Sequence, residues 1–439
     1  MFIKKNINNL FYFFIIVHLT IWTLVPSLTN KNLPLDVIEA LAWGSNLDWG
    51  FTKHPPGSAF FPEIFFQIFG PRDWAYYFLS QIFVVSSFYI VWLFANEFFK
   101  NKILSFLSII ILEGIYFYNF TTPEFNVNVC QMPFWALSVF LSWKILIKKE
   151  LNFFFPICLG FVAAIGFLSK YLFIYLLISI FFISYYLFFI RKKIKFNFKH
   201  YLPLEVFFVA LIPHLIWLFQ NEFITIKYAL SRSGIDNYNF LDHFKYPIIF
   251  LLKQITLLIP FFVLVYFLIK RIRIRIDLKD DKNLFLIAIN ILPIMLILLT
   301  SIIFGSEIRT MWMAPFYLFF GVLALSLFEI HENKEKLLDF LKPLLILFFL
   351  SPITYAIISL IKDDKRTDYD GYNESIEVAK AWEKNFELPI NVVLGDEWHA
   401  GNISYHMKSR PIWLGEINQK NVDKLDVYIC VKKVCVGHR

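Results

Sequence analysis

The segment Gly50-Phe51-Thr52-Lys53-His54-Pro55-Pro56-Gly57 follows an apolar run from about Leu10 to Leu28 and decides how the chain is read. Two consecutive prolines cannot lie inside a helix, and they disfavour helix in the residue before them. A cation and an imidazole are thereby placed on a rigid, non-helical loop just after a membrane span. Asp36 and Glu39 lie a little upstream. Anchoring in a bilayer needs none of these groups; a site that handles a phosphorylated lipid does.

Outward from this loop the chain is built from apolar runs. Of its 439 residues 58% are hydrophobic, and the mean hydropathy is +0.59, above that of soluble domains. Apolar runs of about 20 residues recur to about residue 361, which predicts a polytopic α-helical membrane protein. The expected spans are 9–29, 74–98, 103–120, 126–147, 152–169, 171–190, 203–221, 246–269, 284–304, 313–330 and 340–361, about 11 transmembrane helices. Lys4 and Lys5 resemble the charged start of a signal peptide. The run after them is too long for one and ends without a small-residue cleavage site, so it reads as an uncleaved first span. The excess of phenylalanine, with many Ile, Lys and Asn, fits an AT-rich coding sequence.

The net charge of +8 suits positive-inside topology better than nucleic acid, because the basic residues cluster in alternate loops. One set holds Lys4/Lys5, Lys100/Lys102, Lys144/Lys148/Lys149, Arg191 to Lys199, Lys270 to Lys282 (with Arg273 and Arg275) and Lys334/Lys336. The other holds only Lys31, Lys53, Arg72, Lys170, Lys227, Arg232, Lys245 and Arg309. The expectation is an N-terminus inside, with the Lys53 loop and the C-terminus outside. The division expected is 1–361 in the membrane and 362–439 as a small α/β domain. In that tail the pattern predicts a helix from Asn373 or Ser375 to about Phe386, a strand over 391–394, a helix over 398–408 and a hairpin over 426–436. A two-residue turn at Lys432-Lys433 would set Cys430 opposite Cys435, within bridging distance, and an outside compartment keeps disulfides. Adding His438 gives an incomplete zinc ligand set, so no metal is expected there.

The polar groups of the outer loops carry the chemistry, since ionisable groups near a bilayer are costly and tend to be functional. Asp36 and Glu39, three apart on a helix, share one face. They are either a solvated interfacial face or a general base with a partner that tunes it. Lys53 and His54 either pair with a lipid phosphate or snorkel to the headgroups. Glu124, Asn126 and Asn128 belong to the second outer loop, where either asparagine can instead cap a helix. Lys170 sits at a turn between spans. Arg309 lies beside Trp312 and has the fork that suits phosphate. His214, after Pro213, reads as a satisfied core histidine. The chain has no phosphate-binding loop, dinucleotide fingerprint or nucleophile elbow, so a donor must arrive already activated. No cofactor is called for, because Lys and Arg can carry the leaving-group charge.

With these pieces in order, Leu35-Asp36 to Trp43-Gly44, Lys53-His54-Pro55-Pro56, Phe69-Gly70, Glu124 to Asn128, Leu168 to Tyr171 and Arg309 to Pro315, the chain resembles the type-C fold integral-membrane glycosyltransferases. The branch is that of protein O-mannosyltransferases, lipid A aminoarabinose transferases and rhizobial lipopolysaccharide galacturonosyltransferases. The tail segment Gly395-Asp396-Glu397-Trp398-His399-Ala400-Gly401-Asn402 resembles a subset of them. The resemblance implies a polyprenyl-phosphate-linked sugar donor, a periplasm-facing site in the bacterial inner membrane and inverting transfer. It makes Asp36 the general base and sets Lys53 and Arg309 on the donor phosphate. The family's common Asp-Glu pair is Asp36-Val37 here, so Glu39 would supply the second carboxylate. The leading expectation is sugar transfer to an envelope glycolipid or glycan, lipid A or lipopolysaccharide core, among membrane lipids and without nucleic acid. The alternatives are a lipid flippase that binds without chemistry, and an assembly or sensor protein working through its tail.

Overall fold

The computed structural model describes residues 6–234, 239–271, 277–331 and 334–439. Lys4, Lys5, Arg273 and Arg275 of the charge pattern lie outside the described residues. The helices in chain order are α1 (Ile7–Thr29), α2 (Leu35–Gly44), α3 (Gly57–Phe69), α4 (Asp73–Phe99), α5 (Lys102–Ile110), α6 (Val127–Leu146), α7 (Phe154–Ser169), α8 (Ile174–Tyr185) and α9 (Leu202–Gln220). Then follow α10 (Ile224–Arg232), α11 (Asp242–Leu257), α12 (Ile259–Leu268), α13 (Asp281–Phe304), α14 (Phe320–Leu327) and α15 (Lys334–Ile361). Among the described residues, 8 helical segments are long and apolar enough to cross a membrane, and a bent pair makes up to 9.

Three expected spans take a different form. Helix α7 is apolar but has only 16 residues. The stretch 103–120 is helical only as α5 and then breaks into 3-10 turns at Ile111–Gly114 and Tyr116–Tyr118. The break lies where Gly114 meets α12, since a Cβ there would stand 2.6 Å from Phe261 Cα. The stretch 313–330 is a 3-10 helix, Thr310–Tyr317, bent by 60° from α14. Pro315 inside it has no N–H to continue an α-helical ladder.

The segment between α1 and α4 folds as two helices. Asp36 lies in the first turn of α2, and the Lys53 loop is non-helical. Helix α3 was not expected. Its 13 residues reach about 20 Å, too short to span the hydrocarbon core, and Gly70 at φ +65° stops it.

The tail forms a sheet of order β4-β3-β6-β5, from β3 (Val392–Leu394), β4 (Ile412–Trp413), β5 (Val427–Val431) and β6 (Val434–His438). A separate short pair, β1 (Ile269–Arg271) with β2 (Glu329–Ile330), is antiparallel. Helices α16 (Gly371–Glu383) and α17 (His399–His406) complete the tail with a four-residue α18 (Gln419–Val422). Val378, Trp382, Val393, Ile403 and Val436 form its core. Cys430 and Cys435 face each other in the hairpin register, and their sulfurs are bonded.

The tail is tied to α2, α3 and α4. Arg410 pairs with the buried Glu63 of α3 at 2.6 Å and donates to Leu41 O of α2 at 2.8 Å. Tyr405 donates to Asp73 at 2.6 Å, and Asn32 donates to Asn402 at 2.8 Å. Gly401 lets α17 lie directly on α2, because a Cβ there would come within 2.9 Å of Ile38. Breaking the Arg410–Glu63 pair from one side would leave a buried charge, at a cost of about 3–5 kcal/mol. Helix α2, which carries Asp36 and Glu39, is therefore held by the tail.

Candidate active site

The site forms where α2, the Lys53 loop, the start of α6 and the α7–α8 turn meet. Asp36 is half-buried, and its backbone N–H donates to Glu124 Oε1 at 3.0 Å. Burial and the Glu124 charge push the Asp36 carboxyl up to about 7, against the pull of Lys170, Lys53 and Arg232. Burial raises Glu124 too. Two carboxylates out of water beside each other favour holding a proton between them. A carboxyl at about 7 exchanges its proton near neutrality.

The cations differ in state. Lys170 is only 7% exposed, and burial drives its pKa well below the ordinary value while Asp36 opposes the shift. Its ammonium donates to Asn128 Oδ1 at 2.6 Å and lies 5.0 Å from the Trp312 ring centre. Burial also works against the Lys53 charge, but bonds to Glu39 and Glu397 more than offset it. Those contacts are 2.9 Å to Glu39 and 3.3 Å to Glu397. Burial raises Glu39 in turn, and Lys53 opposes it. His54 is pushed down to about 3 by burial and by Lys170, Lys53 and Arg232. It is neutral at pH 7 and can meet a phosphate only as an N–H donor.

Among the remaining sequence-predicted residues, Asn126 is the N-cap of α6, accepting from the N–H groups of Asn128 and Val129. Arg309 makes no ion pair among the described residues and is joined to Trp312 by a 3.0 Å backbone bond. Its loop bonds to the end of α10, Glu307 N–H to Ser233 O at 3.1 Å. Arg232, the last residue of α10, and the Arg309 loop are therefore adjoining.

Three features escaped the sequence reading. Arg232 was counted only as an outer-loop cation, yet its charge acts on both Asp36 and His54. Glu397, in the quoted tail segment, reaches Lys53. Helix α9 grips the Lys53 loop: His214 bonds Trp49 O at 2.6 Å and Tyr171 Oη at 2.7 Å, and a Cβ on Gly50 would strike the Trp217 ring. The imidazole donates to the Trp49 carbonyl, so its other nitrogen accepts from Tyr171.

The helical architecture is the type-C glycosyltransferase fold. The sequence profile of the dolichyl-phosphate-mannose-protein mannosyltransferase family matches residues 53–217. Among solved structures, ArnT from Cupriavidus metallidurans bound to undecaprenyl phosphate has a TM-score of 0.60, covering 94% of this chain and 87% of that chain at 11% identity. The same protein in the apo state gives 0.56, covering 95% and 87% at 10% identity. At such identity the likeness is one of fold. No curated protein matches the sequence.

Proposed function

We propose that this chain transfers a sugar from a polyprenyl-phosphate donor to an envelope acceptor, lipid A or lipopolysaccharide core, at the periplasmic face of a bacterial inner membrane. The observation that carries the proposal is Asp36: a carboxyl held at about 7, beside buried Lys170 and within the field of Lys53 and Arg232. The lipid-phosphate donor is supported by the family match and by the ligand of the ArnT structure.

In this reading Asp36 takes the proton of an acceptor hydroxyl. The freed oxygen pair attacks the anomeric carbon, and the bond from that carbon to the phosphate oxygen breaks with its electrons going to phosphate. The products are the glycosylated acceptor, with inverted configuration, and polyprenyl phosphate. Lys170, Lys53, Arg232 and Arg309 stabilise the departing phosphate, and an arriving phosphate would restore the charge that burial takes from Lys170. Glu39 holds Lys53 in place, and Asn128 holds Lys170. His54 and Trp312 line the donor side, while Glu124 tunes Asp36.

The test is transfer of radiolabelled sugar from polyprenyl phosphate by purified protein, with mass spectrometry of lipid A and core from a strain lacking it. Donor binding without transfer to any envelope acceptor would favour the flippase reading.

A further inference from the structure

The ends of α1, α5 and α15 remote from the candidate site enclose a cleft that sugar transfer does not use. It has a volume of about 470 Å³ and is lined only by apolar side chains from 7–17 of α1, 103–110 of α5 and 337–349 of α15. Leu10, Phe13, Leu107, Ile110, Leu341 and Leu345 are among them. A second cavity of about 380 Å³ shares Ile7 and Ile103 with it and adds Lys100, Asn101 and Lys102. The apolar cleft therefore opens into a basic mouth. Lys102 donates to Asn8 at 3.2 Å; among the described residues neither lysine pairs with a carboxylate.

The cleft's lining on α1 ends at Val17. The next residue of α1, His18, is buried and bonds Glu113 at 2.7 Å. Asn119 donates to Glu113 O at 2.8 Å, and Ser351 of α15 reaches Asn119 at 3.3 Å. This polar knot joins the same three strands of chain that wall the cleft. From Ile7 to Val17 the cleft is about 15 Å deep at the helical rise, half of a hydrocarbon core of about 30 Å. One acyl chain of one leaflet fits that depth; a polyprenyl chain, much longer, does not.

We infer that this cleft binds one anionic phospholipid, its headgroup phosphate at Lys100 and Lys102 and one acyl chain between α1, α5 and α15. Basic pockets between membrane helices hold anionic headgroups in this way. By the loop charges the lipid belongs to the inner leaflet, across the membrane from the donor site.

The test is native mass spectrometry of the full chain in detergent with equimolar phosphatidylglycerol and phosphatidylcholine of identical chains. One phosphatidylglycerol should be retained, preferred about tenfold. Lys100→Gln with Lys102→Gln, both exposed, should bring that preference close to unity, and Leu10→Trp should reduce retention by filling the cleft. Equal retention of both lipids, a preference that survives the double change, retention unaffected by Leu10→Trp, or displacement by polyprenyl phosphate would each overturn the inference.

Discussion

Replacing Asp36 by Asn should trade activity for stability, and the trade should depend on pH. The carboxyl stands at about 7 against an ordinary 3.8. Its folded pKa lies above the unfolded one, so folding is penalised once the unfolded carboxyl ionises. Below pH 3.8 both states are protonated and the penalty vanishes. It grows as pH rises and levels off above 7, at about 4 kcal/mol from 1.36 kcal/mol per pH unit. At pH 5 it is about 1.7 kcal/mol by the same linkage. An amide never ionises. Asp36→Asn should therefore gain stability over wild type at both pH values, and the gain should widen by about 2–3 kcal/mol between pH 5 and pH 8. Denaturant unfolding in detergent micelles at the two pH values measures it, with sugar transfer assayed on the same preparations. A gain that does not change with pH would refute the buried-carboxylate reasoning. Near-normal transfer by Asp36→Asn would move the base to Glu39 or Glu124.

Further outcomes follow from the same geometry. Ala at Lys53 or Arg309 should weaken donor binding by about 2 kcal/mol in a detergent binding assay, the scale of a charge-assisted bond; unchanged affinity in both would leave Lys170 and Arg232 as the phosphate ligands. Glu397→Gln removes one carboxylate that competes for Lys53, so donor affinity should rise by up to about fivefold, the worth of a half-exposed ion pair, and a fall would mean that Glu397 itself serves the substrate. Replacing Cys430 and Cys435 by Ser should lower the melting temperature of the tail slightly, because the loop closed is very short, and should leave transfer intact. Thiols that label in intact cells without reductant would exclude the bridge.

Much of the architecture was legible because it is written in local pattern. Long apolar runs, the proline pair after Lys53 and the alternation around Lys432-Lys433 each state their structure within a few residues. Helix α3 was hidden because thirteen residues with Pro62 inside look neither like a span nor like a strand. The break after α5 was hidden because its cause, the approach of Phe261 to Gly114, comes from 147 positions away. The site divides along the same line. Asp36, Glu39 and Lys53 are neighbours in sequence and announce themselves. Arg232 reaches the site through the pairing of Ser233 with Glu307, and Glu397 through the docking of α17 on α2, and no local pattern encodes either contact.

Under the proposed function, a neutral-range carboxyl at Asp36 drives sugar transfer from a lipid phosphate. The most direct measurement is the pH dependence of kcat/KM for labelled sugar leaving polyprenyl phosphate and appearing on lipid A or core. An acid limb near pH 7 is expected in wild type, with about tenfold loss per pH unit below it, and the limb should move to lower pH in Glu124→Gln, which loses the neighbouring negative charge. Transfer that stays flat down to pH 5, or a limb that Glu124→Gln leaves in place, would contradict it.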